Sequence, residues 1–495
     1  MLLDMHLSSR GLCLGNLLIL YLATLVPSIV TADEYAELES DLQSRLLPLQ
    51  VLESSRKHFP GILKSLAAQR AAEGRAVAAK GAFDLVFESE GFSRTDEFGF
   101  YDGTVIGGSI TQPLRSMGAK VYGGYDVSRG DFPIYEDVNF TSRGGQVKVG
   151  VLFSLLRDRD IDERRFTEND AMLELDQAGL DVMLTQIGVQ QRALIAYWRW
   201  VATGRQLQVY KELLRLAENR ETGLEVQIQE GSLAKINLTE NRQNITRRNA
   251  LTLSAERNYR AATNELAFYY RNEEGAPRFT KPERLPSEAD LREISVESVK
   301  PIEESIASLK RRPELLKLKT SMERALRRAE FSENELKPRL DFNVEVVSGL
   351  GDEGEGGPSR DTNDLKLGFE FSVPFEQRNA KGNLAEAESE IESLNQQRRE
   401  LEDQLDVGMR NILLDLDVAK QLVKLAKLEV EQSEELRRAE HYRFEQGASD
   451  FFLVNLREET EADARIRYYA ASLEKHIARV NYDAATVNLE QLGLQ

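Results

Sequence analysis

Apolar and polar residues alternate along this chain with two periods, and those periods follow one another in the same order twice. In 146–153, Val147, Val149, Val151 and Phe153 share one face while Gln146, Lys148 and Gly150 share the other. The pattern returns with Leu365, Leu367, Phe369, Phe371 and Val373 set against Lys366, Gly368, Glu370 and Ser372. Period-two alternation predicts strands with one apolar and one polar face. Further strand signals cover Phe83–Phe87, Thr104–Ile110 and Lys120–Val127, separated by turn clusters such as Asp102-Gly103 and Ser128-Arg129-Gly130-Asp131. A barrel with lipid outside and water inside needs this pattern, and a half-buried soluble sheet satisfies it as well.

Elsewhere the period lengthens to that of a helix. Residues of about 34–80 predict helix, with Pro60 near the start of its second part. From about Arg159 to Gln229 no proline interrupts the pattern, and at 1.5 Å per residue the segment reaches roughly 105 Å. Its partner runs from about Gln377 to Gln446. Each long helix stops at a glycine, in Glu230-Gly231-Ser232 and in Gln446-Gly447-Ala448, and a helix of roughly 40 residues follows from Ala234 and from Asp450. Leu238, Ile245, Thr252, Tyr259 and Leu266 recur every seven residues in the first of these; Ile466, Leu473, Val480 and Val487 do so in the second, followed at four by Ala470, Ile477 and Ala484. Such spacing marks coiled-coil seams within helical hairpins.

The order of these segments is a duplication. Gly150 and Gly368 lie 218 residues apart, Gly231 and Gly447 lie 216 apart, and Phe59-Pro60-Gly61-Ile62-Leu63-Lys64 answers Arg312-Pro313-Glu314-Leu315-Leu316-Lys317. Self-similarity on this scale indicates a repeated unit in place of several unrelated domains. We expect a first repeat over 33–271, a proline-rich linker over 272–310 with a short helix from Ala289 to Val299, and a second repeat over 311–495. Pro60 to Gly150 spans 90 residues but Pro313 to Gly368 spans 55, so the first repeat holds 35 extra residues in its strand region, enough for one more hairpin or a long surface loop.

Composition narrows the function. Among 495 residues 29% are charged and the net charge is −18, which disfavours nucleic acid, whose phosphates need a basic surface. Cys13 is the only cysteine, and it falls in an apolar segment, Leu12 to Val30, preceded by Arg10 and closed by Val30-Thr31-Ala32 before Asp33. Residues 1–32 are expected to be a signal peptide; the rival reading, an amino-terminal anchor, conflicts with the breaks at Gly15, Asn16 and Pro27. No other stretch holds the roughly 20 apolar residues of a spanning helix, so any membrane crossing falls to the strands.

Catalytic chemistry has little support. His6, His58, His441 and His476 are scattered without metal spacing, and the glycine-rich stretches lack the lysine of a phosphate loop. The carboxylates of the loop Gly349–Gly357 are too sparse for calcium, and Trp198 and Trp200 beside Tyr197 predict helix packing. No catalytic, cofactor or metal residue is assigned.

With these parts in order the chain resembles the TolC family of bacterial outer-membrane efflux proteins, over roughly Leu46 to Leu492. The likeness rests on the duplication, the junctions Leu336-Lys337-Pro338-Arg339-Leu340 and Phe371-Ser372-Val373-Pro374-Phe375, and the two glycine-marked tips. The resemblance implies a fold that is mainly α with membrane β: long antiparallel coiled-coil hairpins forming an α-barrel, and strands contributing to a shared transmembrane β-barrel. It further implies a homotrimer in outer-membrane lipid that extends into the periplasm and docks a periplasmic adaptor and an inner-membrane transporter, as the exit duct of tripartite efflux or type I secretion. The docking residues would be Gly231, Ser232, Leu233, Gly447, Ala448 and Ser449. Where the family closes its tunnel with a tyrosine, an arginine and an aspartate, this chain has Phe444, Ser449 and Asn237, so the charged lock is missing and Asn237 and Phe444 are the candidates for a constriction. Oligomerisation also follows from physics, because four strands cannot close a barrel and lipid tolerates no open edge. Three copies of four would make twelve strands, with the extra residues leaving two more per copy open. Competing readings are a structural coiled-coil scaffold and a periplasmic adaptor; the second is disfavoured because adaptors usually carry one hairpin.

Overall fold

Pro48, Pro60 and Pro313 each stand at the first position of a helix, where the missing N–H costs nothing. In the computed structural model, which describes residues 45–95, 102–130, 141–287, 299–354, 359 and 363–494, Leu46–Gln495 forms one unit. The first half runs α1 (Pro48–His58), α2 (Pro60–Lys80), β1 (Val86–Arg94), β2 (Gly103–Pro113), β3 (Lys120–Gly130), β4 (Gln146–Ser154), α3 (Glu163–Gln229) and α4 (Lys235–Tyr269). The second runs α5 (Ile302–Ser308), α6 (Pro313–Glu335), β5 (Arg339–Gly349), β6 (Asp364–Ser372), α7 (Arg378–Glu445) and α8 (Phe451–Ala485). The expected signal peptide, residues 289–298 of the helix expected at Ala289–Val299 and residues 355–358 of the glycine-rich loop lie outside the described residues.

The fold is the expected one, long antiparallel hairpins with an antiparallel sheet and an internal duplication. Helices α3 and α7 hold 67 and 68 residues, and α4 and α8 hold 35 each, so the shorter pair is less than the 40 or so expected. Asp162 and Asp450 start α3 and α8 by accepting the N–H of Arg165 at 2.9 Å and of Leu453 at 2.8 Å. The first strand differs from expectation. Gly81–Phe83 forms a 3₁₀ turn that buries Phe83, and the strand begins at Val86. Its alternation escapes notice because Ser89, Gly91 and Ser93 occupy the face where apolar residues announce the other strands.

The sheet is a six-stranded antiparallel meander in sequence order. Strand β4 pairs with β5, Val149 opposite Val346 and Gly150 opposite Glu345, so the two halves share one sheet. Connectivity identifies the extra 35 residues. Helix α2 leads into β1 as α6 leads into β5, and β4 leads into α3 as β6 leads into α7; β2 and β3 are therefore an inserted hairpin. Its turn is closed by Leu114 N–H donating to Ala119 O at 2.8 Å. Gly118 there has φ +55°, and a Cβ on it would lie 2.5 Å from Asp158 O.

Below the sheet the helices stand side by side. Next to the strands the order is α2, α3, α6, α7, and towards the tips it is α4, α3, α8, α7. The main core lies midway, where Tyr197, Trp200, Tyr259 and Leu266 are buried against Leu46 and Leu52. Its polar atoms are paired: Tyr197 Oη donates to Leu46 O at 2.9 Å and Trp200 Nε1 to Tyr259 Oη at 3.2 Å. Trp198 stacks on His476 at 3.5 Å, 7° from parallel, and burial lowers the His476 pKa to about 3.

Two measurements check this packing. Trp200→Ala removes a fully buried ring and is expected to cost about 3–5 kcal/mol, read as a lowered unfolding midpoint in detergent. Because His476 is neutral in the fold but binds a proton below about pH 6.5 once unfolded, stability should fall as pH drops from about 6.5 towards 3, by at most about 1.4 kcal/mol per pH unit. His476→Gln should flatten that slope; an unchanged profile contradicts the assignment.

Candidate functional site

Register assigns every strand residue to one of two faces. Glu90, Val105, Asp126, Lys148, Glu345 and Lys366, one from each strand, line a single cavity of about 360 Å³, so this face is the concave one. By parity it also carries Glu88, Lys120 and Glu370. The opposite row presents Phe87, Ile106, Val121, Val149, Val346 and Phe369, all exposed, with Phe369 at 76%. Within the six strands Arg129, at the end of β3 away from the helices, is the one charged residue of that row. An exposed apolar face of this extent marks contact with lipid or protein.

The concave face is knit by polar contacts. Lys148 Nζ lies 3.0 Å from Asp126 Oδ2, and Tyr122 Oη donates to Glu345 Oε2 at 2.9 Å and to Asn343 Oδ1 at 3.1 Å. The Tyr122 ring crosses β4 at Gly150, where a Cβ would sit 2.4 Å away. That glycine of the duplication is required by packing. At its counterpart Gly368 a Cβ would meet only Asn343 Cβ, at an ordinary contact distance of 4.0 Å.

The flanks of the sheet and of the helical layer coincide. Among the described residues β1 pairs only with β2, and β6 only with β5. On the β1 flank stand α2 and α4; on the β6 flank stands α7. Along α7 an apolar row at Val407, Leu414, Val418 and Leu425 is exposed, with the seven- and four-residue steps of a coiled-coil seam; Leu425 also lines a groove with Ala470, Ala471 and Leu473 of α8.

The two tips share one geometry. Gly231 has φ +76°, donating to Ile228 O at 3.0 Å while Ser232 donates to Gln227 O at 2.9 Å; Gly447 has φ +70°, donating to Phe444 O at 2.9 Å while Ala448 donates to Arg443 O at 2.8 Å. Gly231, Ser232, Gly447 and Ala448 are exposed, and Leu233 and Ser449 are half-buried. Ser449 donates to the buried Glu440. Asn237 turns its amide to Ala234 O at 3.3 Å and Phe444 is half-buried on the other hairpin; no hydrogen bond or ring contact joins the two within the subunit.

Sequence reading missed a buried ionic cluster between the hairpins. Glu458 of α8 accepts from Arg220 of α3 and, at 3.2 Å, from Arg248 of α4, while Arg220 Nη1 donates to Asn455 Oδ1 at 2.7 Å. Arg248 is 1% exposed and also donates to Leu213 O at 2.8 Å. Burial pushes its pKa down and Glu458 pulls it back. Asn241, Arg248, Ala255 and Ala262 interleave with the seven-residue seam of α4, and that spacing was the available signal.

Among the described residues no helix is long and apolar enough to cross a membrane, and no group of three acidic, histidine or cysteine side chains is placed to hold a metal. No family model matches the sequence, and no curated protein matches it. Solved structures do match in fold. The chain is similar to the outer membrane protein VceC of Vibrio cholerae (TM-score 0.61, 13% identity, 92% of this chain and 98% of that one). It is similar to the MtrE outer membrane channel of Neisseria gonorrhoeae in its open state (0.63, 13%, 89% and 88%) and to the CmeC outer membrane channel of Campylobacter jejuni (0.60, 12%, 98% and 98%). The chain thus has the fold of these outer-membrane channels along nearly its whole length.

Glu458→Gln should leave two arginines facing a neutral amide and cost about 3–5 kcal/mol, seen as a lower unfolding midpoint. Replacing Arg248 and Glu458 together by Met and Leu should recover most of that loss; equal losses in both variants would show that the pair itself is not what matters.

Proposed function

We propose that this chain is a TolC-family exit duct: three copies share one barrel in the bacterial outer membrane and one helical tunnel in the periplasm. The hairpin tips meet a periplasmic adaptor and an inner-membrane transporter of an efflux or type I secretion system. The observation that carries this reading is the two-faced sheet with unpaired edges. Its outer row suits lipid, its inner row suits water, and lipid accepts such a sheet only when every edge strand is paired.

A neighbouring copy supplies the missing partners. Strands β1 and β6 run antiparallel to one another, so β1 of one copy continues the meander after β6 of the next. The contact joins two different flanks, and such heterologous contacts close into rings. Helix α7 lies on the same flank as β6, so its exposed apolar row reaches the α2 and α4 flank of that neighbour. The duct is passive: a hydrated lumen lined by fixed charges, with energy supplied by the partners. The match in fold to MtrE and CmeC, both outer membrane channels, supports the reading along nearly the whole chain.

Purified protein in a planar bilayer should give discrete ion currents, whereas a water-soluble scaffold or adaptor gives none. Adjacent residues on opposite faces sharpen the test. Leu367→Arg places a charge in lipid at a cost of about 2–4 kcal/mol and should strongly reduce recovery in the outer membrane, whereas Gly368→Arg faces the lumen and should insert and alter conductance. Leu233→Asp and Ala448→Asp should leave bilayer currents intact and reduce export from cells; loss of both activities would place these residues in the channel wall and not at a docking surface.

A further inference from the structure

We propose that the barrel of the assembled ring has eighteen strands, so that its mouth is as wide as the helical tunnel beneath it. The inference rests on the three-copy duct proposed above. Each copy brings six strands in one continuous sheet. The inserted hairpin lies inside that sheet: β2 pairs with β1 over nine residue pairs and β3 with β4 over seven. Its residues obey the two-face rule of the rest, with Ile106, Ile110, Val121 and Tyr125 exposed on the outer row and Val105 and Asp126 at the inner cavity. A hairpin folded away from the wall would have no reason to keep this parity.

Circumference supplies the second argument. Strands about 4.8 Å apart and tilted by about 40° each occupy roughly 6.3 Å of perimeter, so eighteen make a wall of about 113 Å and a backbone diameter of about 36 Å. Four helices per copy stand side by side. Twelve helices spaced by about 9 Å need about 108 Å, a diameter of about 34 Å. The two rings match at the junction where β1, β4, β5 and β6 run into helices. With the same tilt, twelve strands make only about 75 Å, and the wall would narrow by about a third. Barrels of sixteen to eighteen strands leave an open aqueous channel.

Electron cryo-microscopy of the full chain in detergent counts the strands directly. Three copies and eighteen strands, with no narrowing at the junction, are expected. Three copies around twelve strands, with β2 and β3 off the wall, overturn this inference and leave the duct standing; absence of any ring overturns both. In bilayers, a neutral polymer too wide for a twelve-stranded lumen should lower the conductance when added on the strand side. An unchanged conductance overturns the wide mouth while the currents themselves still support the duct.

Discussion

A strand in a sheet has two faces and two edges, and in this subunit the faces are matched to their surroundings while the edges are not. Water can satisfy the free N–H and C=O groups of β1 and β6; hydrocarbon cannot. Once the outer row enters lipid, closure is therefore obligatory, and everything attached to the edges must follow it. Helix α2 runs directly into β1 and β6 runs directly into α7, so pairing β1 with the β6 of a neighbour carries the flanks of the helical layer together as well. The exposed apolar row of α7 lies on the flank that this pairing would cover. One hydrogen-bonding requirement in the sheet would thus organise the helices far below it.

The two edges also complement each other in bulk. Leu365, Leu367, Phe369 and Phe371 form the outer row of β6, whereas β1 presents Ser89, Gly91 and Ser93 after Phe87. Large side chains leaning over small ones form a cross-strand contact without crowding, as within the subunit, where Phe87 packs over Gly108. On the inner row β1 offers Glu88, Glu90 and Arg94, and β6 offers Asp364, Lys366 and Glu370. Any register that keeps outer residues outside keeps these charges on one face, because a slip by a single residue would turn both rows over.

The duplication, the long hairpins, their glycine tips and the strands β2, β3, β4 and β6 were legible because each has a strong local signature: period two, period seven, or a glycine at a helix end. Strand β1 was legible only in part. Its apolar row is replaced by serine and glycine, and Gly91 lies opposite the bulky Ile106 of β2. The insertion was legible as a length of 35 residues, but its identity as β2 and β3 needed the pairing partners. The ionic cluster was hidden for a different reason. Arg248 and Glu458 read as solvated charges on helix surfaces, and only the approach of three helices turns them inward; Arg248 sits in a seam position that a charged residue seldom fills.

That cluster bears on how two hairpins of such length stay level. Apolar seams resist separation but resist sliding less, since one leucine can replace another a heptad away. The core midway along the helices is of that kind, apart from its few aromatic hydrogen bonds. Towards the tips its character changes: Glu458 is clamped by Arg220 and Arg248 from both helices of the first hairpin, and Arg465 reaches Glu212 at 2.8 Å. Displacing one hairpin by a heptad would strand two guanidinium groups and a carboxylate in a buried site, at a cost of several kcal/mol. Nearly equal helix lengths set the tips at one height, and the ion pairs hold them there. Buried charge here trades stability for register, and the docking role proposed for the two tips would require that register.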